Sequence, residues 1–202
     1  MTRDKKKANA DSVKARLMSL AKQRGQPFEA LVQRYAIERL LYRLAQSRYA
    51  DLFVLKGALV FLTWGVDLPR PTRDLDLLGF VSPDTERLEA LFREVLQMDV
   101  GEDGVEFDSN TIRAEQIREE DIYSGIRTTM RGVLGTMRID LQIDIGLGDS
   151  LYPEPESVAF PPLLGDEPPM LRSYSRYLVV AEKFQAMVKL GTVNSRMKDY
   201  FD

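Results

Sequence analysis

From Met137 to Ile145 the chain alternates: Ile139, Leu141, Ile143 and Ile145 are apolar, and Arg138, Asp140, Gln142 and Asp144 between them are polar or charged. A period of two fits a β-strand with one face buried and the other polar, so this chain has to build a sheet. The turn Leu134-Gly135-Thr136 separates that strand from another, Tyr123 to Val133, and strand-like, β-branched stretches fill the span from Gly104 to Gly148.

The N-terminal part reads differently. Val13, Leu17, Leu20 and Ala21 recur at helical spacing over residues 11–24, with Asp11 or Ser12 as cap and Gly25 as stop. Pro27 opens a second helix whose residues Leu31, Val32, Tyr35, Leu41 and Leu44 form one broad face, while Arg34, Glu38 and Arg48 are expected to stay wet. These helices are expected to be a preface packed on a separate core. That core starts with the short strand Asp51 to Lys56, stopped by Gly57 at the head of a helix running from Ala58 to Trp64. A loop, Gly65 to Arg73, leads to a second strand, Asp74-Leu75-Asp76-Leu77-Leu78, and Ser82 and Pro83 cap and start the next helix, to about Met98. Six of the ten prolines lie between Pro153 and Pro169, which predicts an extended connector, followed by a helix from about Ser175 to Leu190 and another from about Ser195. The divisions are 1–50 for the basic helices, 51–150 for the core, 151–172 for the connector and 173–202 for a C-terminal helical segment.

Composition removes whole classes of chemistry. The chain has no Cys and no His, so disulfides, thiolate nucleophiles, imidazole metal ligands and His general bases are excluded. What remains is carboxylates, Lys, Arg, Tyr, hydroxyls and bound metal. Those reagents suit a reaction run by positioning and charge neutralisation, with phosphoryl or nucleotidyl transfer the main case. No apolar run approaches the roughly 20 residues of a membrane helix, and the start has no signal-peptide core, so a cytoplasmic protein is expected. Residues 1–50 carry 12 Lys and Arg against 4 Asp and Glu, although the chain as a whole has a net charge of −3. A basic head on an acidic body fits contact with nucleic acid or phosphate, or simply a solvated helix surface.

Asp74 and Asp76 stand two apart on a strand, so they share a face about 6.6 Å apart and can converge on metal ions. Two solvated acids at a strand end would give the same pattern, but here a phosphate seat precedes them: Lys56-Gly57-Ala58 at a strand-to-helix junction, then Arg70 and Arg73 on the loop. A two-metal site wants a third carboxylate. Asp144 is the better candidate and Asp140, on the same face, the alternative; Asp149 is expected to cap a turn. Lys183, in a mostly apolar helix, either snorkels to solvent or faces an anion in a cleft. Phe61 and Trp64 are expected in the core rather than as a base-stacking platform.

Five segments then carry a family resemblance: Phe53 to Leu59, Arg70 to Leu77, Ile143 to Asp149, Ala181-Glu182-Lys183, and Asn194 to Asp202. In this order they resemble the AbiEii/AbiGii toxins, nucleotidyltransferase-like proteins, along nearly the whole chain including the basic helices. The resemblance implies an α+β fold of the DNA polymerase β type, a mixed sheet flanked by helices. It implies a toxin of a bacterial toxin–antitoxin, abortive-infection or phage-defence system, with a cognate antitoxin. Relatives bind a nucleoside triphosphate, and some transfer a nucleotide to tRNA acceptor ends. Residue by residue, Asp74 and Asp76 correspond to the metal-binding pair, Asp144 to the third acid, Lys183 to the lysine of the next motif and Asp199 to the acid of the last, the latter two implicated in nucleotide contact and catalysis.

Two departures stand out. Gly57-Ala58 replaces the Gly-Ser of many nucleotidyltransferases, leaving backbone N–H groups to hold phosphate. The chain also stops at Asp202 inside a helix where relatives continue, and is expected to be a shortened form. The combined expectation is a Mg²⁺-dependent nucleotidyltransferase in which Asp74, Asp76 and Asp144 hold metal, Lys56, Gly57, Arg70, Arg73 and Lys183 bind the triphosphate, and RNA, with tRNA foremost, is the acceptor. The basic N-terminal helices are expected to touch that RNA. A non-catalytic module holding a nucleotide or the antitoxin, or a metal-dependent nuclease, would use the same residues.

Overall fold

The computed structural model describes residues 3–66, 72–118, 124–148 and 151–190. Its centre is a seven-stranded mixed sheet built from β1 (Phe53–Lys56), β2 (Asp74–Gly79), β3 (Val105–Arg118), β4 (Ser124–Leu134), β5 (Met137–Leu147), β6 (Glu156–Ala159) and β7 (Met170–Ser173), in the order β3-β4-β5-β2-β1-β7-β6. β2 and β5 run parallel, as do β1 and β7; the other neighbours are antiparallel. With the helices α1 (Arg3–Arg24), α2 (Phe28–Gln46), α3 (Val60–Thr63), α4 (Thr85–Leu96) and α5 (Arg176–Leu190), this is the α+β architecture expected.

The alternation of β5 decides which face is covered. Ile139, Leu141, Ile143 and Ile145 are buried, as are Leu75 and Leu77 of β2 and Ile126 and Met130 of β4, all on the side where α2 and α4 pack. α4 presents Leu88, Leu91, Phe92 and Val95 to it, an i, i+3, i+4, i+7 stripe, and Phe92 meets Phe53 with ring centroids 5.7 Å apart. Its cap is Asp84, whose carboxylate accepts from the Arg87 backbone N–H at 3.1 Å, rather than Ser82: the extended backbone of Asp84 puts its side chain over the first turn.

Two further expectations are adjusted. α1 begins at Arg3, not near residue 11, and buries the narrow file Ala10, Val13, Leu17 and Ala21. That file and α2 belong to the same hydrophobic cluster as the sheet, so the N-terminal helices share the core instead of prefacing it. The proline-rich stretch does run extended, and it supplies β6 and β7, which extend the sheet past β1.

α2 also buries charge. Arg43 forms a fork with Asp103, 2.5 and 3.3 Å, and donates to the Val105 carbonyl; Glu38 accepts from Arg39 at 2.9 Å and from the Leu163 backbone N–H at 2.9 Å, and burial pushes its carboxyl pKa up. These bonds tie the loop before β3 and the connector to one helix. Replacing Arg43 by Ala leaves Asp103 buried without its partner and is expected to cost about 3–5 kcal/mol of stability in urea unfolding.

Candidate active site

The other face of the sheet carries the polar residues, and strand register aligns them. Lys56 of β1 pairs with Asp76 of β2, Asp76 with Asp144 of β5, Asp144 with Arg127 of β4, and Arg127 with Glu115 of β3. Register partners on neighbouring strands put their side chains on the same face about 5 Å apart. One row across five strands therefore reads Lys, Asp, Asp, Arg, Glu. Asp74, two residues before Asp76, stands in the next row opposite Gln142. Asp140 lies two rows from Asp144 toward the far end of β5, exposed and paired with Arg131 at 3.3 Å, so Asp144 is the acid that faces Asp76.

Gly57 makes room for Asp76. Its φ is +69°, a conformation that L side chains rarely adopt, and a Cβ there would stand 2.2 Å from Asp76 Oδ2 and 2.8 Å from Asp76 Cβ and Cγ. The glycine read as a phosphate seat is thus also where the Asp76 side chain passes over the β1 turn. Gly146 lies beside Lys56: a Cβ there would stand 3.5 Å from Lys56 Nζ, an ordinary contact distance.

Lys56 Nζ is 3.3 Å from Glu182 Oε1 on α5, and the Tyr174 hydroxyl donates to the same oxygen at 3.0 Å. Burial first, and then Glu182, push the Tyr174 pKa up. On the next residue of α5, Lys183 Nζ is out of solvent, 5.0 Å from the centre of the Phe61 ring. It points inward rather than snorkelling. Phe61 and Trp64 pack edge to face at 5.1 Å against the core, as expected, and Arg176 stacks on Trp64 at 5.3 Å.

Asp144 is gripped from two sides. Arg127 Nε and Nη2 reach its two oxygens at 2.8 and 2.9 Å, and Gln142 Nε2 is 3.3 and 3.2 Å from the same atoms. The hydrogen bonds to Asp144, then its charge and those of Asp74 and Glu115, raise the Arg127 pKa further. Among the described residues no three acidic side chains are gathered as a ready cation cluster. The donor set nonetheless fits a hard divalent ion: carboxylates on two adjacent strands, on one face, with Gly57 giving the Asp76 side chain the room it occupies. Arg73 is exposed just before β2, and its carbonyl accepts from Gln33 of α2 at 3.2 Å, so the structure does not bring it to the carboxylate row; Arg70, Asp149 and Asp199 lie outside the described residues. Arg127, Gln142, Glu182 and Tyr174 join the site without having been singled out from sequence.

α1 and α2 lie on the opposite face from the carboxylates, and Arg39 and Arg43 are buried in ion pairs, which leaves α1 as the exposed basic surface. No helix among the described residues is long and apolar enough to cross a membrane.

A mixed sheet with paired aspartates on β2, a third on the parallel β5 and a glycine turn after β1 defines the nucleotidyltransferase fold. Two solved structures share it. The crystal structure of JHP933 from Helicobacter pylori superposes with a TM-score of 0.55 at 16% identity, over 86% of this chain and 63% of that one. A second, "putative nucleotidyltransferase from H. pylori", gives 0.53 at 17% identity over 86% and 65%. The chain thus spans less than two thirds of either. No curated protein matches. The model of the family described as nucleotidyl transferase AbiEii toxin, type IV TA system, matches residues 39–202, and the chain belongs to that family. The match leaves α1 and the first half of α2 outside, where the sequence resemblance was expected to extend.

Proposed function

We propose that this chain is a Mg²⁺-dependent nucleotidyltransferase toxin that moves a nucleoside monophosphate from a nucleoside triphosphate to a hydroxyl of RNA, a tRNA end foremost, in the cytoplasm. It would act in abortive infection, restrained by a cognate antitoxin. The observation that carries the reading is the charge row: two acids in register on β2 and β5, flanked by Lys56 and Arg127. Asp74, Asp76 and Asp144 would hold the metal, which when bound neutralises phosphate charge and acidifies the acceptor hydroxyl.

In the transfer, the acceptor oxygen bonds to the α-phosphorus, the bond from that phosphorus to the bridging oxygen breaks, and pyrophosphate leaves. Asp144 orients the hydroxyl and takes its proton, which passes to solvent. Lys56, Gly57, Arg70, Arg73 and Lys183 hold the triphosphate, and Asp199 contributes from the last motif. Ala58 offers no hydroxyl, so phosphate contacts at this turn come from the backbone.

The test is incubation with Mg²⁺, each labelled triphosphate in turn, and total RNA. With the label on the α-phosphate, labelled RNA longer by one nucleotide or more is the expected result. Saturable nucleotide binding with no labelled product would identify a non-catalytic module, which Ala58 favours; shortened RNA without triphosphate would identify a nuclease.

A further inference from the structure

We infer that Arg127 is the resident counter-ion of the site: it positions Asp144 while no metal is bound, and a divalent ion reaches Asp144 only by displacing its guanidinium. The inference rests on the metal-dependent reading above and assigns a role to a residue outside the expected ligand set.

The geometry requires an exchange. Asp144 offers its two oxygens to the Arg127 fork at 2.8 and 2.9 Å, and Gln142 approaches both. A carboxylate has about four lone-pair directions, so these donors leave little of it for a cation. The surrounding charge explains why a cation sits there at all. Asp76 faces Asp144 across the β2–β5 seam and Asp74 stands one row away, an arrangement that repels itself unless something positive is near. Lys56 is engaged with Glu182 at the other end of the row, so the guanidinium is the positive group on Asp144 itself. The pair is not sealed in: the side chains are 35% and 25% exposed, which lets an incoming ion compete for it.

Arg127→Met removes the competitor and keeps a similar stem. Binding of Mn²⁺ alone, followed by electron paramagnetic resonance on the full chain, is expected to tighten about tenfold, equivalent to ~1.4 kcal/mol. Thermal unfolding without metal should shift to lower temperature and be restored by Mn²⁺. Arg127→Lys, which keeps the charge but not the fork, should fall between and serves if the Met variant does not fold. In an Asp144→Asn background the Arg127 change should no longer alter Mn²⁺ affinity, because the coupling runs through that carboxylate.

Unchanged or weaker Mn²⁺ binding in Arg127→Met and Arg127→Lys, with the wild type binding normally, overturns the counter-ion role and leaves the metal-dependent reading standing. Absence of Mn²⁺ binding in every variant, with and without nucleotide, overturns both.

Discussion

Replacing Asp76 by Asn is expected to abolish nucleotide transfer, by about 10³-fold or more, while the chain still folds. Asp76 is the acid with a neighbour on each side: Lys56 pairs with it across β1 and Asp144 across β5. Asn keeps the shape that fits over Gly57 but gives up the charge that would hold a divalent ion, and losing several kcal/mol of transition-state charge stabilisation converts to a factor of that size. Removing one of several clustered negative charges relieves repulsion in the metal-free protein, so its melting temperature should hold or rise. Transfer and growth arrest by the Asn variant at wild-type level, with the melting temperature intact, would remove Asp76 from the chemistry.

Gly57→Ala should be nearly as damaging to transfer and should cost stability as well. At φ +69° an alanine is strained by roughly 1–2 kcal/mol. Its methyl would in addition stand 2.8 Å from the Cβ of Asp76, an atom no rotamer change can move away, so the β1 turn has to shift from β2. The expected outcome is a stability loss of about 2–4 kcal/mol, the strain and an overpacking term together, with transfer falling about 10²-fold. Gly101→Ala is the matched control: φ is +82° but nothing lies within 4 Å of the added methyl, so strain alone remains and transfer should be kept. Equal loss of transfer in both variants would mean that stability, not the fit of Asp76, governs the effect.

Much of this was legible in the chain because strands announce themselves by period. The alternation in 137–145 set both the buried and the polar face of β5, and the two-apart spacing put Asp74 beside Asp76. What the chain did not display was pairing. Arg127 reads as one more charged residue on a strand, yet counting back seven residues along each strand from the Leu134–Met137 turn lands on Arg127 and Asp144. The turn supplied the register, and the pair follows from it. Charge on α2 misled in the other direction: in sequence Glu38 reads as wet, with Arg34 and Arg48, whereas in the fold it is fully buried between Arg39 and the Leu163 backbone N–H, and Arg43 is buried against Asp103 from a distant segment. β6 and β7 were hidden by prolines, which suit the ends and edges of a sheet as well as they suit a connector.

The two acidic strands touch each other directly, although more than fifty residues separate them along the chain. Their separation is fixed by a ladder of main-chain bonds and is indifferent to what the intervening polypeptide does. A change in the length or outer decoration of β3 therefore leaves Asp76 and Asp144 facing each other, whereas a change in β4 that moves Arg127 alters the surroundings of Asp144, so the two strands of that hairpin are under different constraints in evolution.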